Sequence, residues 1–411
     1  MKHLGIYLSN SVNKKQLIDE IFSNSLLKEH LDISTLKGAL HSPITIDKII
    51  DEEVRHDKFP IKTRENASLM SMSSGQQRKA LLAYLIDQKP DFIILDDIFS
   101  SIDSDTQQYI LRYLEQHSKN IQYIQLFYRK HDVLSFIDTV ISVNEQFQVI
   151  SQESLELFKN KHESSEHLNN VTLPYLFNEA HLDIDPLIQL NSVSAAYGDK
   201  PVLNNINWTI RPGEFWQLKG PIGSGKSTLL SMIIGDNPRG YGQDMMLFGC
   251  KKGSGESVWD IKKQIGYFYP TLTQLFTHDD TVENMIISGI LDSIGLYKKP
   301  TDLHKRIANA WLQVLGSSFQ NKRFQELSSG QQRIVLVVRA MVKQPPLLIL
   351  DEPTAGLDDH NAQLFINLVS AIASQRKVAI IYVSHRSEPG LLPDKVLELV
   401  PTHHGSVAKV L

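Results

Sequence analysis

A glycine-rich segment at residues 220–228 constrains the fold more than any other feature of the sequence. It follows a predicted apolar strand at 215–218 and precedes an apolar helix predicted to run through Ile234. A Gly-x-x-x-x-Gly-Lys-Ser motif in this setting predicts a phosphate-binding loop, because glycines let backbone N–H groups at a helix N-terminus approach an anion. The predicted phosphate-loop residues are Gly220, Gly223, Ser224, Gly225, Lys226, Ser227 and Thr228. We expect Lys226 to reach the terminal phosphates and the Ser227 hydroxyl to bind Mg²⁺.

Two apolar runs further along the chain end in polar residues suited to phosphate chemistry. The run 347–350 is typical of a central parallel strand buried on both faces, and Asp351 and Glu352 follow it directly. Ligands bind at the carboxyl ends of strands in such sheets. We therefore expect Asp351 to hold Mg²⁺ and Glu352 to orient and polarise the attacking water. A second run, 378–383, precedes Ser384 and His385, which brings an imidazole to the same crevice.

An internal repeat predicts two homologous domains. The segment Ser73–Arg78 recurs as Ser328–Arg333, and at the same offset of 255 residues Asp96 matches Asp351. The register holds through a predicted helix, strand and loop, which a chance match would not do. The expected organisation is a first domain at 1–150, an acidic linker at 151–186 and a second domain at 187–411.

The motifs of the second domain resemble those of an ABC ATPase domain. Besides the phosphate loop and the carboxylate pair, they include the signature Leu327–Gln331, the loop around Asp358 and His385. The resemblance implies a doubly wound α/β fold and hydrolysis of ATP with Mg²⁺ as cofactor. It also implies that Tyr197 stacks on the adenine. The whole chain resembles the soluble tandem ABC ATPases of the ModF type.

The first domain is predicted to be a truncated, degenerate copy. Its signature is nearly intact, but the segment 8–15, at the place of the phosphate loop, contains no glycine. Lys14 takes the place of the loop lysine, and Lys15 replaces the hydroxyl that would bind Mg²⁺. Asp97 replaces the catalytic glutamate. The counterpart of His385 is expected at Arg129, with His131 as the alternative.

The resemblance implies that each nucleotide lies between the phosphate loop of one domain and the signature of another. The favoured arrangement is an intramolecular sandwich, in which the site around Lys226 is completed by Ser73, Gly75 and Gln76. A homodimer that joins two second domains is the alternative. In either arrangement ATP is the expected ligand, and an unidentified protein partner is compatible with both.

Two other classes of function compete with a free-standing ATPase. A subunit docked on a membrane permease is disfavoured because Tyr269 and Pro270 stand where the family usually has a glutamine, and Gln274 lies four residues later. A nucleotide-gated switch on the ribosome or DNA is disfavoured because tandem ABC proteins that bind the ribosome usually carry a long, charged helical linker and two sound sites, whereas this linker is short and acidic. The net charge of −4 also argues against a strongly basic nucleic-acid binder. The sequence contains no run of about 18 apolar residues, so a cytoplasmic location is expected. Contact with the inner face of the membrane would then need a partner.

Overall fold

The computed structural model describes residues 1–28, 30–56, 59–61, 68–99, 102–160, 173–174, 184–384 and 388–411. The chain divides into two compact units, each described here by itself. The first comprises Met1–Glu166 and Gly356–His360, and the second comprises His167–Ala355 and Asn361–Leu411. His385 and most of the expected linker lie outside the described residues. In the part of the chain that is described, every helix is too short or too polar to span a bilayer.

The first unit is built on one six-stranded sheet. Its strands are β1 (Leu4–Tyr7), β2 (Gly38–His41), β3 (Phe92–Asp96), β4 (Gln122–Phe127), β5 (Thr139–Val143) and β6 (Val149–Ser154). Its helices are α1 (Lys14–Phe22), α2 (Pro43–His56), α3 (Ser74–Asp87), α4 (Ser104–His117) and α5 (Leu155–Asn160). The sheet order is β2-β3-β4-β1-β5-β6, and only the β5–β6 pair is antiparallel.

Alternation along β3 explains why this sheet is covered on both faces. Phe92 and Ile94 pack into one buried cluster together with Leu17 of α1, whereas Ile93 packs into another together with Leu81 of α3. Successive side chains of a strand point to opposite faces, so an all-apolar strand needs a helical layer on each side. The doubly wound architecture follows from that requirement.

The first unit extends beyond residue 150, where the sequence analysis expects the first domain to end. Strand β6 pairs with β5, and α5 follows it with Phe158 buried in the core, so the first unit includes part of the expected linker. The sequence gives a weak signal here because β6 is an edge strand with alternating exposed positions and almost no apolar residues after Ile150.

The second unit contains a six-stranded and a four-stranded sheet. Its strands are β7 (Ile188–Tyr197), β8 (Lys200–Ile210), β9 (Phe215–Lys219), β10 (Asp244–Leu247), β11 (Cys250–Lys251), β12 (Ile265–Phe268), β13 (Leu347–Asp351), β14 (Ala379–Val383), β15 (Lys395–Val400) and β16 (Val407–Val410). Its helices are α6 (Lys226–Ile234), α7 (Val258–Lys263), α8 (Val282–Ile290), α9 (Asp302–Leu315), α10 (Ser329–Met341) and α11 (Asp359–Ser374).

The large sheet of the second unit repeats the topology of the first. Its order is β12-β13-β14-β9-β15-β16, which matches the first sheet strand for strand, including an antiparallel final pair. The smaller sheet, β11-β10-β7-β8, is antiparallel and has no counterpart among the described residues of the first unit. Tandem copies of one fold account for the sequence repeat, and the first copy is the smaller one.

Candidate active site

The phosphate loop connects the central strand β9 to α6, as the sequence predicts. Gly220 has φ of 151°, and a Cβ there would lie 2.6 Å from Ser224 Oγ and 2.8 Å from the Leu399 carbonyl oxygen. Gly225 has φ of 90°, and its Cβ would lie 2.7 Å from a methyl group of Leu203. Side chains at these two positions would therefore clash and strain the backbone. The loop is a glycine-dependent cradle at a helix N-terminus, the usual site for phosphate.

The two carboxylates reach the same cavity from β13. Strand β13 is separated from β9 by β14 alone, and Asp351 is its last residue. Glu352 then adopts φ of 46° while its N–H donates to the Val383 carbonyl at 2.9 Å. This left-handed backbone is rare for glutamate and is typical of functional sites. Residues at the strand end thus face the crevice rather than continue the sheet.

One cavity of about 440 Å³ brings most of the predicted second-domain residues together. Its lining is Val202, Ile222, Gly223, Gly225, Lys226, Ser227, Thr228, Pro270, Asp351 and Glu352. Ser224, which is buried, and Gly220, which is half-buried, belong to the same loop but do not line the cavity. Pro270 lies where the family's glutamine is expected, whereas Gln274 is exposed and does not line the cavity. The sequence departure noted above therefore falls on the wall of the site.

The charges in the cavity suit a metal-bound polyphosphate. Burial raises the pKa of Asp351, and the nearby Lys226 opposes that rise. Lys226 Nζ donates to the carbonyl oxygens of Gly220 at 2.7 Å and Pro221 at 3.0 Å. A hydroxyl, a half-buried carboxylate and an ammonium group around one cradle fit phosphate together with Mg²⁺.

Tyr197 borders this cavity through Thr228. The Thr228 hydroxyl and the Asn237 side-chain amide hydrogen-bond to the Tyr197 hydroxyl, and these bonds hold the pKa of Tyr197 below its ordinary value. The Asn237 contact is 3.0 Å long, and 44% of the tyrosine surface remains exposed. An exposed aromatic ring is thus anchored beside the phosphate loop. No motif or spacing in the sequence singles out Asn237.

The equivalent loop of the first unit is arranged differently. Helix α1 begins at Lys14 just as α6 begins at Lys226, but its cap is Asn13, whose side chain accepts the N–H of Gln16 at 3.2 Å. One of the N–H groups that a phosphate would bind is therefore satisfied within the chain. Lys14 Nζ lies 3.0 Å from Asp96 Oδ1 on a carboxylate with no exposed surface, so the loop lysine is held in an ion pair.

Strand register corrects the predicted switch position of the first domain. Asp351 pairs with Val383, and Asp96 pairs with Leu126. Two residues beyond these partners stand His385 and Tyr128 respectively, so neither Arg129 nor His131 is the counterpart. The Lys14 ammonium lies 5.8 Å from the centroid of the Tyr128 ring. Alignment by apolar runs missed this because β4 is one residue longer than β14.

The two signatures have the same local geometry. Ser73 Oγ accepts the Gln76 N–H at 3.4 Å, and Gln76 Oε1 accepts the Ser73 N–H at 2.9 Å. The same reciprocal cap, formed by Ser328 and Gln331, begins α10. Gly75 is buried, and a Cβ there would lie 3.2 Å from Thr106. Ser73, Gly75 and Gln76 thus form an ordered helix start within the first unit.

Comparison with known proteins identifies the family. A family model described as "ABC transporter" matches residues 203–355. The chain is 37% identical over 382 residues to the ABC transporter ATP-binding protein ModF of Escherichia coli K12, a match that covers 87% of this chain and 77% of that protein. This chain is an ABC ATP-binding protein. It belongs to a family of ATPases that use Mg²⁺ with ATP. The match to ModF covers most of the chain, which is consistent with two tandem ABC domains.

Two further matches extend over most or all of this chain at lower identity. An uncharacterized ABC transporter ATP-binding protein of Schizosaccharomyces pombe is 29% identical over 78% of this chain and 66% of its own length. A chain from a ribosome-bound complex of archaeal Pelota and ABCE1 matches all of this chain with a TM-score of 0.64, at 14% identity and over 74% of its length. At that identity the structural likeness concerns the fold alone.

Proposed function

We propose that this ABC ATP-binding protein hydrolyses Mg-ATP at one composite site per chain. The phosphate loop of the second domain would hold the nucleotide, and the signature of the first domain, Ser73 to Gln76, would complete the site. The observation that carries the proposal is the cavity that Lys226, Ser227, Asp351 and Glu352 line together. These residues supply an ammonium group for the phosphates, two oxygen ligands for Mg²⁺ and a carboxylate that can polarise water, which are central groups in phosphoryl transfer to water.

Each residue has a distinct role in this proposal. Lys226 releases its carbonyl contacts and neutralises the terminal phosphates, while the loop N–H groups bind their oxygens. Ser227 and Asp351 would hold Mg²⁺, which supplies charge neutralisation at the phosphate oxygens. Glu352 orients and polarises a water molecule for attack on the γ-phosphate. His385, which lies outside the described residues, is proposed to bind the γ-phosphate from the next strand end.

The state of the first domain supports a single site. Its loop lysine is held by Asp96, its helix start is capped by Asn13, and its loop segment 8–15 contains no glycine to admit phosphate oxygens. Its signature nevertheless retains the reciprocal cap of an intact motif. A domain that contributes only its signature to the site of the neighbouring domain needs an intact signature but no phosphate-binding loop. The first domain has this combination.

Substitution of the proposed catalytic glutamate tests this function. Glu352→Gln should lower the steady-state rate of ATP hydrolysis by about 10²- to 10⁴-fold, because the water loses its polarising carboxylate. Binding of Mg-ATP, measured by equilibrium titration, should remain. The matched control is Asp97→Asn at the equivalent position of the first domain, which should hydrolyse ATP at nearly the wild-type rate. An unchanged rate in Glu352→Gln would remove Glu352 from its role.

A further inference from the structure

Arg239 covers one face of the Tyr197 ring. Its guanidinium carbon lies 3.8 Å from the ring centroid, a stacking distance for a cation on an aromatic face. Its Nε donates a hydrogen bond to the carbonyl oxygen of Ala196, the residue before the tyrosine. Arg239 thus contacts both the Tyr197 ring and the backbone of β7, the strand to which Tyr197 belongs.

Asn237 fixes this pair to the phosphate-binding helix. Its Oδ1 accepts the Arg239 N–H at 3.1 Å, and its Nδ2 donates to the Tyr197 hydroxyl at 3.0 Å and to Ser231 Oγ at 3.2 Å. Ser231 belongs to α6, whose N-terminus forms the phosphate loop. The ring therefore has a defined position relative to that loop, with its hydroxyl tied down and one face occupied.

We propose that Arg239 is a base-positioning residue that acts through Tyr197 and favours purine nucleotides. The guanidinium holds the ring, so that only its other face is open to a base, and the result is a three-layer stack of arginine, tyrosine and purine. The cation also draws electron density from the ring, which improves the stacking of an electron-rich base on the free face. A purine overlaps the ring more fully than a pyrimidine. This inference rests on the proposed use of the loop at 220–228 for nucleotide phosphates.

The opposite role for Arg239 makes the reverse prediction. If the base stacked on the face that the guanidinium covers, Arg239 would block the binding face and would be displaced when nucleotide binds. Its removal would then tighten nucleotide binding. The sign of the change in affinity distinguishes the two roles.

Equilibrium titration with Mg-ADP and with Mg-pyrophosphate tests the inference. Neither the nucleotide diphosphate nor the baseless probe depends on hydrolysis by the site. Arg239→Met should weaken Mg-ADP binding by about 5- to 30-fold, which corresponds to about 1–2 kcal/mol. It should leave Mg-pyrophosphate binding within twofold of wild type, because the phosphate loop is unchanged. Binding of the pyrimidine analogue Mg-CDP should weaken less than that of Mg-ADP.

A matched control and a double substitution separate positioning from charge. Arg211→Met removes the same side chain and charge from an exposed pair with Asp185, in the turn before β9, and should leave both affinities unchanged. In a Tyr197→Leu background, Arg239→Met should cause no further loss. In steady-state assays Arg239→Met should raise KM for ATP and leave kcat unchanged.

Three results would overturn the inference while the proposed function stands. They are tighter Mg-ADP binding in Arg239→Met, unchanged Mg-ADP binding in that variant, and a full further loss in the Tyr197→Leu background. A wild-type protein that bound neither Mg-ADP nor Mg-pyrophosphate would instead refute the proposed function, and the inference with it.

Discussion

Substitution of the two equivalent loop lysines should have opposite consequences. Lys14→Met in the first domain removes the partner of a fully buried carboxylate, whereas Lys226→Met removes an ammonium group that contacts two backbone carbonyls at the mouth of a cavity. The first substitution should destabilise the protein and spare hydrolysis. The second should abolish nucleotide binding with a smaller effect on stability.

The magnitude follows from the burial of Asp96. Removing one partner of a buried ion pair costs about 3–5 kcal/mol when the remaining charge is trapped. Burial already raises the pKa of Asp96, and Lys14 lowers it. Without Lys14 the carboxyl can take up a proton, and protonating a carboxyl of ordinary pKa at pH 7 costs about 4 kcal/mol, which sets the upper limit of the penalty. A penalty of about 3–4 kcal/mol corresponds, for a unit of this size, to a fall of roughly 6–16 °C in melting temperature.

The pH dependence of this effect has a definite sign. Lys14→Met moves the pKa of Asp96 in the folded state further above its pKa in the unfolded state. The loss of stability is therefore complete at a pH above the folded-state pKa, and it disappears as the pH falls towards the unfolded-state pKa. The difference in melting temperature between wild type and Lys14→Met should therefore shrink on acidification. Asp96→Asn in the Lys14→Met background should restore stability.

Calorimetric melting and ATPase assays on the same preparations check this prediction. A Lys14→Met protein that melts like wild type but no longer hydrolyses ATP would refute the reasoning, since Lys14 would then serve a nucleotide rather than Asp96. A fall in stability that did not depend on pH would also contradict the role given to the Asp96 carboxyl.

Two further predictions concern the second-domain site. Titration with Mg-ADP should show one tight site per chain; two sites of similar affinity would mean that the first domain still binds nucleotide. Asp351→Asn should raise the melting temperature of the nucleotide-free protein at neutral pH, because burial raises the pKa of Asp351 and its ionisation therefore opposes folding. That gain should vanish in acid, and a lower melting temperature at neutral pH would contradict it.

The sequence predicted those elements whose signal is local. The two apolar runs that precede Asp351 and Ser384 are strands, as predicted, because a short run of apolar residues that is buried on both faces has few alternatives. The glycine-rich motif is followed by the predicted helix α6, because such a loop requires glycine at fixed positions. The edge strand β6 was missed since it is polar and is stabilised by pairing with a neighbour. The positive φ of Glu352 could not be predicted, because positive φ is expected from the sequence mainly at glycine.

Features that depend on contacts between distant segments could not be predicted. Tyr128 was identified as the counterpart of His385 only by strand register, because a one-residue difference in strand length hides the correspondence in the sequence. The stack of Arg239 on Tyr197 joins residues 42 positions apart through Asn237. No periodic pattern or motif spacing links those three side chains.

The most direct test of the single composite site compares Ser73→Arg with Ser328→Arg. Both substitutions remove the same helix cap, so their cost in stability is matched at about 1 kcal/mol. If the first-domain signature completes the working site, Ser73→Arg should lose ATP hydrolysis by at least about tenfold, while Ser328→Arg keeps most of it. Loss of hydrolysis in Ser328→Arg with retention in Ser73→Arg would contradict the composite site and favour a homodimer of second domains.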